Sequence, residues 1–132
     1  MRNPRRAWHS RWVANPEPTS AGRREERTWL TVPDLVDVLG VGVGRIHRLV
    51  EDKHLLAVHI DGVLKVPADF IVEGEPMSEL RGTLIVLADD GFSDDEAMDW
   101  LLGIEESLGV APIDALRAGR KAEVRRVAQA LA

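Results

Sequence analysis

A mainly α winged helix-turn-helix, with a small β-hairpin wing and a C-terminal helical lobe, is the fold class this sequence predicts. Three observations predict it. Residues 31–67, TVPDLVDVLGVGVGRIHRLVEDKHLLAVHIDGVLKVP, read as two short amphipathic helices separated by a glycine-containing turn. Two β-branched runs follow, joined by Asp61-Gly62, a dipeptide that strongly favours a two-residue hairpin turn. Beyond residue 77 the apolar residues recur at helical spacing, with glycines where the helices should stop.

Taken in order, residues 1–27 are expected to form a disordered basic tail. Pro4, Pro16, Pro18 and Gly22 punctuate a polar stretch with no sustained period, and seven arginines face three glutamates. Arg5, Arg6, Arg11, Arg23 and Arg24 make it a candidate arm for phosphate contacts. Trp8 and Trp12 are four apart, enough for one turn against a partner and no more. Ser10, Thr19, Ser20 and Thr28 lie in or beside the arm, where a phosphate would subtract from its positive charge.

Residues 28–73 hold the winged helix-turn-helix. Thr31 is placed to cap the first helix, Pro33 is tolerated in its first turn, and Asp34 sits near the positive end of the helix dipole. Leu30 and Leu35 have staple spacing, and Val32, Leu35, Val36 and Leu39 form one apolar face up to the stop at Gly40. Gly42 occupies the cap of the second helix, whose apolar face is Ile46, Leu49 and Val50. Arg45 and Arg48 then fall on another face, with His47 beside them. These three, with Lys53 after the helix and His59 and Lys65 in the wing, are the candidate DNA-binding residues, since such a helix can enter the major groove. The strand period puts His59 and Lys65 on opposite faces. The same two-helix pattern also occurs in helical bundles, where the two arginines would be a solvated face.

Ala68 to Met77 reads as a connector with Gly74 and Pro76, packed down by Phe70 and Ile71. Residues 77–132 are expected to form a C-terminal helical lobe packed on the first part. A helix from about Glu79 to Asp89 stops before Gly91, and a Ser93/Glu96 capping box starts a second that ends near Gly103. Pro112 opens a short third helix, and residues 121–131 make the last. Trp100 has no clear side from the pattern.

Charge is uneven: +4 over residues 1–27, −2 over 28–44, +1 over 45–65, −11 over 66–111 and +3 over 112–132, for a net of −5. A DNA binder built this way must turn its arm and second helix toward the duplex and its acidic middle away. The acidic segment alone would otherwise read as a solvated helical surface. There is no cysteine, and hence no disulfide framework or thiolate metal site. No apolar run reaches the ~18 residues of a membrane span and no signal peptide is evident, so a soluble cytoplasmic protein is expected. His9, His47, His54 and His59 form no ligand motif, and neither a phosphate-binding loop nor a nucleophile elbow is present. No catalytic residue, metal or cofactor is expected, and no enzymatic activity.

The segment LGVGVGRIHRLVEDKHLLAV with DGVLKVP after it resembles the winged helix-turn-helix of excisionase-like and MerR-like DNA-binding proteins. From Trp29 to the end, the chain resembles a family of small actinobacterial winged-helix DNA-binding proteins, one member of which is a serine/threonine-kinase substrate. The matching pieces include Leu39-Gly40-Val41, His54-Leu55, Gly62-Val63, Asp90-Gly91, Trp100-Leu101, Asp114-Ala115-Leu116 and Arg125-Arg126. This resemblance implies a transcriptional regulator or nucleoid-associated factor that binds double-stranded DNA, with a Ser/Thr kinase acting on its tail. Gly42 departs from the Ser or Pro common at that position. The end of the chain, APIDALRAGRKAEVRRVAQALA, also looks like the final helices of antitoxins of the Xre and MbcA type. That likeness implies an alternative: a protein-interaction module, or a homodimer, working through the C-terminal lobe.

Overall fold

The computed structural model describes residues 26–131. The chain begins with a strand, β1 (Trp29–Thr31), that runs directly into helix α1 (Val32–Leu39). Thr31 ends the strand and caps the helix: its hydroxyl accepts the Asp34 N–H at 3.3 Å while the Asp34 carboxylate accepts the Thr31 N–H at 2.9 Å. Gly40 closes α1 in the left-handed conformation at φ 68°, its N–H donating to the Val36 carbonyl. Helix α2 (Val43–Glu51) follows after a short turn and buries Ile46 and Leu49.

The wing is a three-stranded antiparallel sheet, not the isolated hairpin that the sequence suggested. Strands β2 (Val58–Ile60) and β3 (Val63–Pro67) pair across Asp61-Gly62, and β1 adds to the other edge of β3, giving the order β1-β3-β2. Asp61 and Gly62 both have positive φ, 53° and 80°, as a type I′ turn demands. A three-residue strand next to a helix cap gives too little alternation to be seen in sequence. Its partner β3 supplies the missing order.

The expected connector also has structure. A 3₁₀ turn (Ala68–Phe70) buries Phe70, then β4 (Ile71–Val72) and β5 (Glu75–Pro76) form a second hairpin around Glu73-Gly74. Both turn residues again have positive φ, and the tip of the hairpin reaches the Val38 carbonyl at the end of α1. The C-terminal lobe comprises α3 (Leu80–Asp89), α4 (Asp94–Leu102), α5 (Pro112–Arg117) and α6 (Lys121–Gln129). The Ser93/Glu96 capping box is present, and Trp100 is buried with 1% exposure. Its indole N–H donates to the Glu105 carboxylate at 3.3 Å, and the other carboxylate oxygen accepts the Ser107 N–H. Glu105 thus gathers the loop between α4 and α5 around one buried acid. Helices α3 and α6 pack closely enough that a Cβ on Gly82 would overlap the Arg125 guanidinium.

One core joins the two parts: Leu35 and Ile46 of the helix-turn-helix, Val66 of the wing and Phe70 are contiguous with Leu80, Met98, Leu101 and Ile113 of the lobe. Arginines clamp its edges. Arg117 donates to the Asp69 and Ile71 carbonyls at 2.8 and 3.2 Å. Arg27, assigned to the tail in the sequence reading, is instead docked on the fold. It pairs with Asp69 at 3.2 Å and with Asp114 at 3.0 Å, and these carboxylates outweigh the burial that opposes its charge. Two acids more than forty positions away in sequence could not be foreseen as its partners.

Candidate nucleic-acid interface

Helix α2 turns Ile46 and Leu49 inward, so its 100° step leaves Arg45, His47 and Arg48 outside, and all three are exposed. None of the three side chains makes a hydrogen bond or ion pair to another described residue. At the start of α2, Gly42 gives no side-chain cap; the Arg45 N–H donates to the Gly42 carbonyl at 3.1 Å, and the Val43 and Gly44 N–H groups leave the positive end of the helix open. Gly44 presents no side chain there, and the Arg48 guanidinium lies back over it, 3.9 Å from where a Cβ would stand. The acids of this segment, Glu51 and Asp52, lie at the opposite end of the helix. Positive charge is therefore concentrated on the N-terminal half of α2.

The C-terminal end of α2 is a Schellman motif. The Lys53 N–H donates to the Val50 carbonyl at 3.1 Å and the His54 N–H to the Leu49 carbonyl at 2.8 Å. Lys53 itself sits in the left-handed region at φ 64°, where glycine is the usual residue. Its side chain is half-buried and lines a groove of about 270 Å³ with Val50, Leu55, Leu56, Leu84 and Phe92, between α2 and the lobe.

In the wing, Lys65 stands opposite Val58 and Thr31, while His59 stands opposite Leu64, so the two basic residues do lie on opposite faces. His59 is exposed. Lys65 is half-buried and close enough to Asp34 to help hold that carboxyl below the usual carboxylate range, after the larger effect of hydrogen bonds from Thr31. The structure thus brings Arg45, His47 and Arg48 together on α2 and gives Lys65 an acidic neighbour. Arm residues Arg5, Arg6, Arg11, Arg23 and Arg24, with Trp8, Trp12, Ser10, Thr19 and Ser20, lie outside the described residues.

Two exposed apolar residues accompany the basic ones and were not picked out from sequence. Val43 opens α2 with 53% exposure and Val63 opens β3 with 46%. A β-branched residue in a strand or helix start reads as core, so only the structure reveals these two as surface. On the acidic lobe, burial first and the neighbouring Asp89 second push the Asp90 carboxyl above its ordinary pKa, and Asp90 Oδ2 is buried without a hydrogen-bond partner. No group of acids and histidines among the described residues is arranged to hold a metal ion. No helix among them is long and apolar enough to cross a membrane.

Comparison with known proteins places this geometry. Residues 24–71 match the family described as DNA-binding protein Rv2175c, wHTH domain, and residues 77–132 match the Rv2175c C-terminal domain of unknown function. The DNA-binding protein Rv2175c of Mycobacterium tuberculosis is 33% identical over 114 residues, covering 76% of this chain and 78% of the relative. The NMR structure of Rv2175c superposes with a TM-score of 0.75 at 32% identity, covering 81% of this chain and 82% of that one.

Proposed function

The chain belongs to the Rv2175c family of winged helix-turn-helix proteins, and from that premise we propose that it binds double-stranded DNA through the N-terminal half of α2. It acts by binding rather than catalysis, as a transcriptional regulator or a nucleoid-associated factor. The observation that carries this reading is the exposed set Arg45, His47 and Arg48 around an uncapped helix start, backed by buried Ile46 and Leu49. Arg45 and Arg48 supply bidentate donors for guanine edges or phosphates, and the Val43 and Gly44 N–H groups at the helix start suit a phosphate. Val43 offers an apolar contact to a thymine methyl. His59 on the exposed face of β2 serves the wing, and Lys53 and Lys65 add positive potential from their half-buried positions. The arm contributes phosphate contacts, which a kinase acting on Ser10, Thr19, Ser20 or Thr28 would weaken.

Fluorescence anisotropy of the full chain on several duplexes, across a salt series, tests this. Affinity should fall steeply with salt, and R45A/R48A should weaken binding at least tenfold and lower the salt slope by up to about 1.8, at roughly 0.9 per phosphate contact. Binding within twofold of the unsubstituted chain would remove α2 as the reading element. No binding by the full chain at low salt would end the DNA reading itself.

A further inference from the structure

The family's C-terminal domain is described as one of unknown function, yet in this chain it reaches the reading helix directly. At the end of α2 the Schellman bonds use the carbonyls of Leu49 and Val50, and the Asp52 N–H takes that of Arg48. The Asp52 carbonyl, at the negative end of the helix, receives the Nε–H of Arg81 at 2.8 Å. Arg81 is the second residue of α3, and its neighbours Leu80, Leu84 and Leu87 are buried in the core of the lobe. The guanidinium thus stands on a rigid base, and its positive charge complements the helix terminus it touches.

This contact matters because α2, though anchored by buried Ile46 and Leu49, has weak local helix signals at its ends. Its start has no side-chain cap, Gly44 in its first turn lowers its intrinsic helix preference, and its last turn is followed by Lys53 in the left-handed region. Beside its last turn, past the buried Ile46 and Leu49, the 270 Å³ groove opens between Val50, Lys53 and the lobe. The aim of Arg45 and Arg48 therefore depends on what fixes the far end of the helix.

Resting on the DNA-binding reading, we propose that Arg81 is a positioning residue for DNA recognition, through which the C-terminal lobe sets the orientation of α2 by holding the Asp52 carbonyl. Binding needs α2 in one orientation, and apparent affinity falls with the fraction of molecules that have it. The rival role is a direct phosphate contact through the guanidinium nitrogens not used on Asp52. The two differ in salt dependence, since a lost phosphate contact lowers the slope by about 0.9 and a lost orientation leaves it unchanged.

The test uses the full chain, R81M and R81K, with two readouts: anisotropy on duplex DNA across a salt series, and hydrogen exchange of the amides of residues 51–55 without DNA. R81M keeps the apolar stem and removes donor and charge; R81K keeps the charge with its donor displaced. We expect R81M to bind about tenfold more weakly with an unchanged salt slope, and its 51–55 amides to exchange at least tenfold faster. R81K should be two- to threefold weaker, also with an unchanged slope. A slope lowered by about one in either variant overturns the proposal in favour of phosphate contact. Unchanged affinity or unchanged exchange in R81M overturns it outright, while normal DNA binding by the parent chain shows that the DNA reading survives. Failure of the parent chain to bind overturns both. Should R81M not fold, R81K decides by the same criteria, and affinity equal to the parent overturns the proposal.

Discussion

Replacing Lys53 with glycine should make the protein more stable and a weaker DNA binder at once. Lys53 holds φ 64° to complete the Schellman motif after α2. An L-residue with a Cβ in this region is disfavoured by about 1–2 kcal/mol, a cost that glycine avoids. Against that gain stand the greater freedom of glycine in the unfolded chain and the loss of the lysine stem from the groove beside Leu55 and Phe92. Only part of a methylene or two is buried there, at ~0.8 kcal/mol for each fully buried group. The net expectation is a stabilisation of roughly 0.5–1 kcal/mol. For a folded unit of about 100 residues this raises Tm by roughly 2–8 °C. Thermal melts followed by circular dichroism measure it, with K53N expected to show a smaller gain. In the anisotropy series K53G should lower the salt slope by about 0.9 if Lys53 meets a phosphate. A Tm equal to or below that of the parent would refute the strain argument, whatever the DNA result.

Further predictions concern the turns, caps and acids. E73N converts the second hairpin turn, where Glu73 has φ 52°, to the favoured Asn-Gly pair and should raise stability by about 0.5 kcal/mol in denaturant titration. S93A removes one half of the α4 capping box and should cost about 1 kcal/mol while leaving DNA affinity within twofold. D90N should raise Tm at neutral pH. The Asp90 pKa is raised in the folded state, so ionisation opposes folding above that pKa, and the benefit of D90N should fade as pH falls through it toward the ordinary carboxylate value. Asp34 has the opposite sign: its pKa is depressed by the Thr31 hydrogen bonds, so its contribution is present above the ordinary value and lost as pH drops through the depressed one. In T31A that acid-dependent loss should be smaller, as melts between pH 5 and 2 can measure.

The parts of the fold legible in the sequence are those specified by neighbours in the chain. Thr31 with Asp34, Ser93 with Glu96, and Asp61 with Gly62 each act over four residues or fewer, and all three motifs are present as expected. The exposed placement of Arg45, His47 and Arg48 also followed from local periodicity, because Ile46 and Leu49 define the buried side. What escaped depends on distant partners. β1 is a strand only because β3 accepts it, and Arg27 is ordered only because Asp69 and Asp114 converge on it. The second hairpin escaped because its strands have two residues each, below any detectable alternation. In the sequence Lys53 shows only its charge, and its backbone role is hidden because the usual signal for that conformation, a glycine, is absent.

The boundary between the two family matches falls between residues 71 and 77, but the apolar interior does not divide there. Phe70 lies on one side of that boundary and Met77 and Leu80 on the other, yet the Met77 N–H donates to the Phe70 carbonyl and all three are buried together. A substitution at Phe70 therefore changes the space available to the lobe as much as to the wing. Tolerated changes should arise in compensating pairs that straddle residues 71–77, and chimaeras that exchange one half between relatives should lose stability unless such pairs travel together.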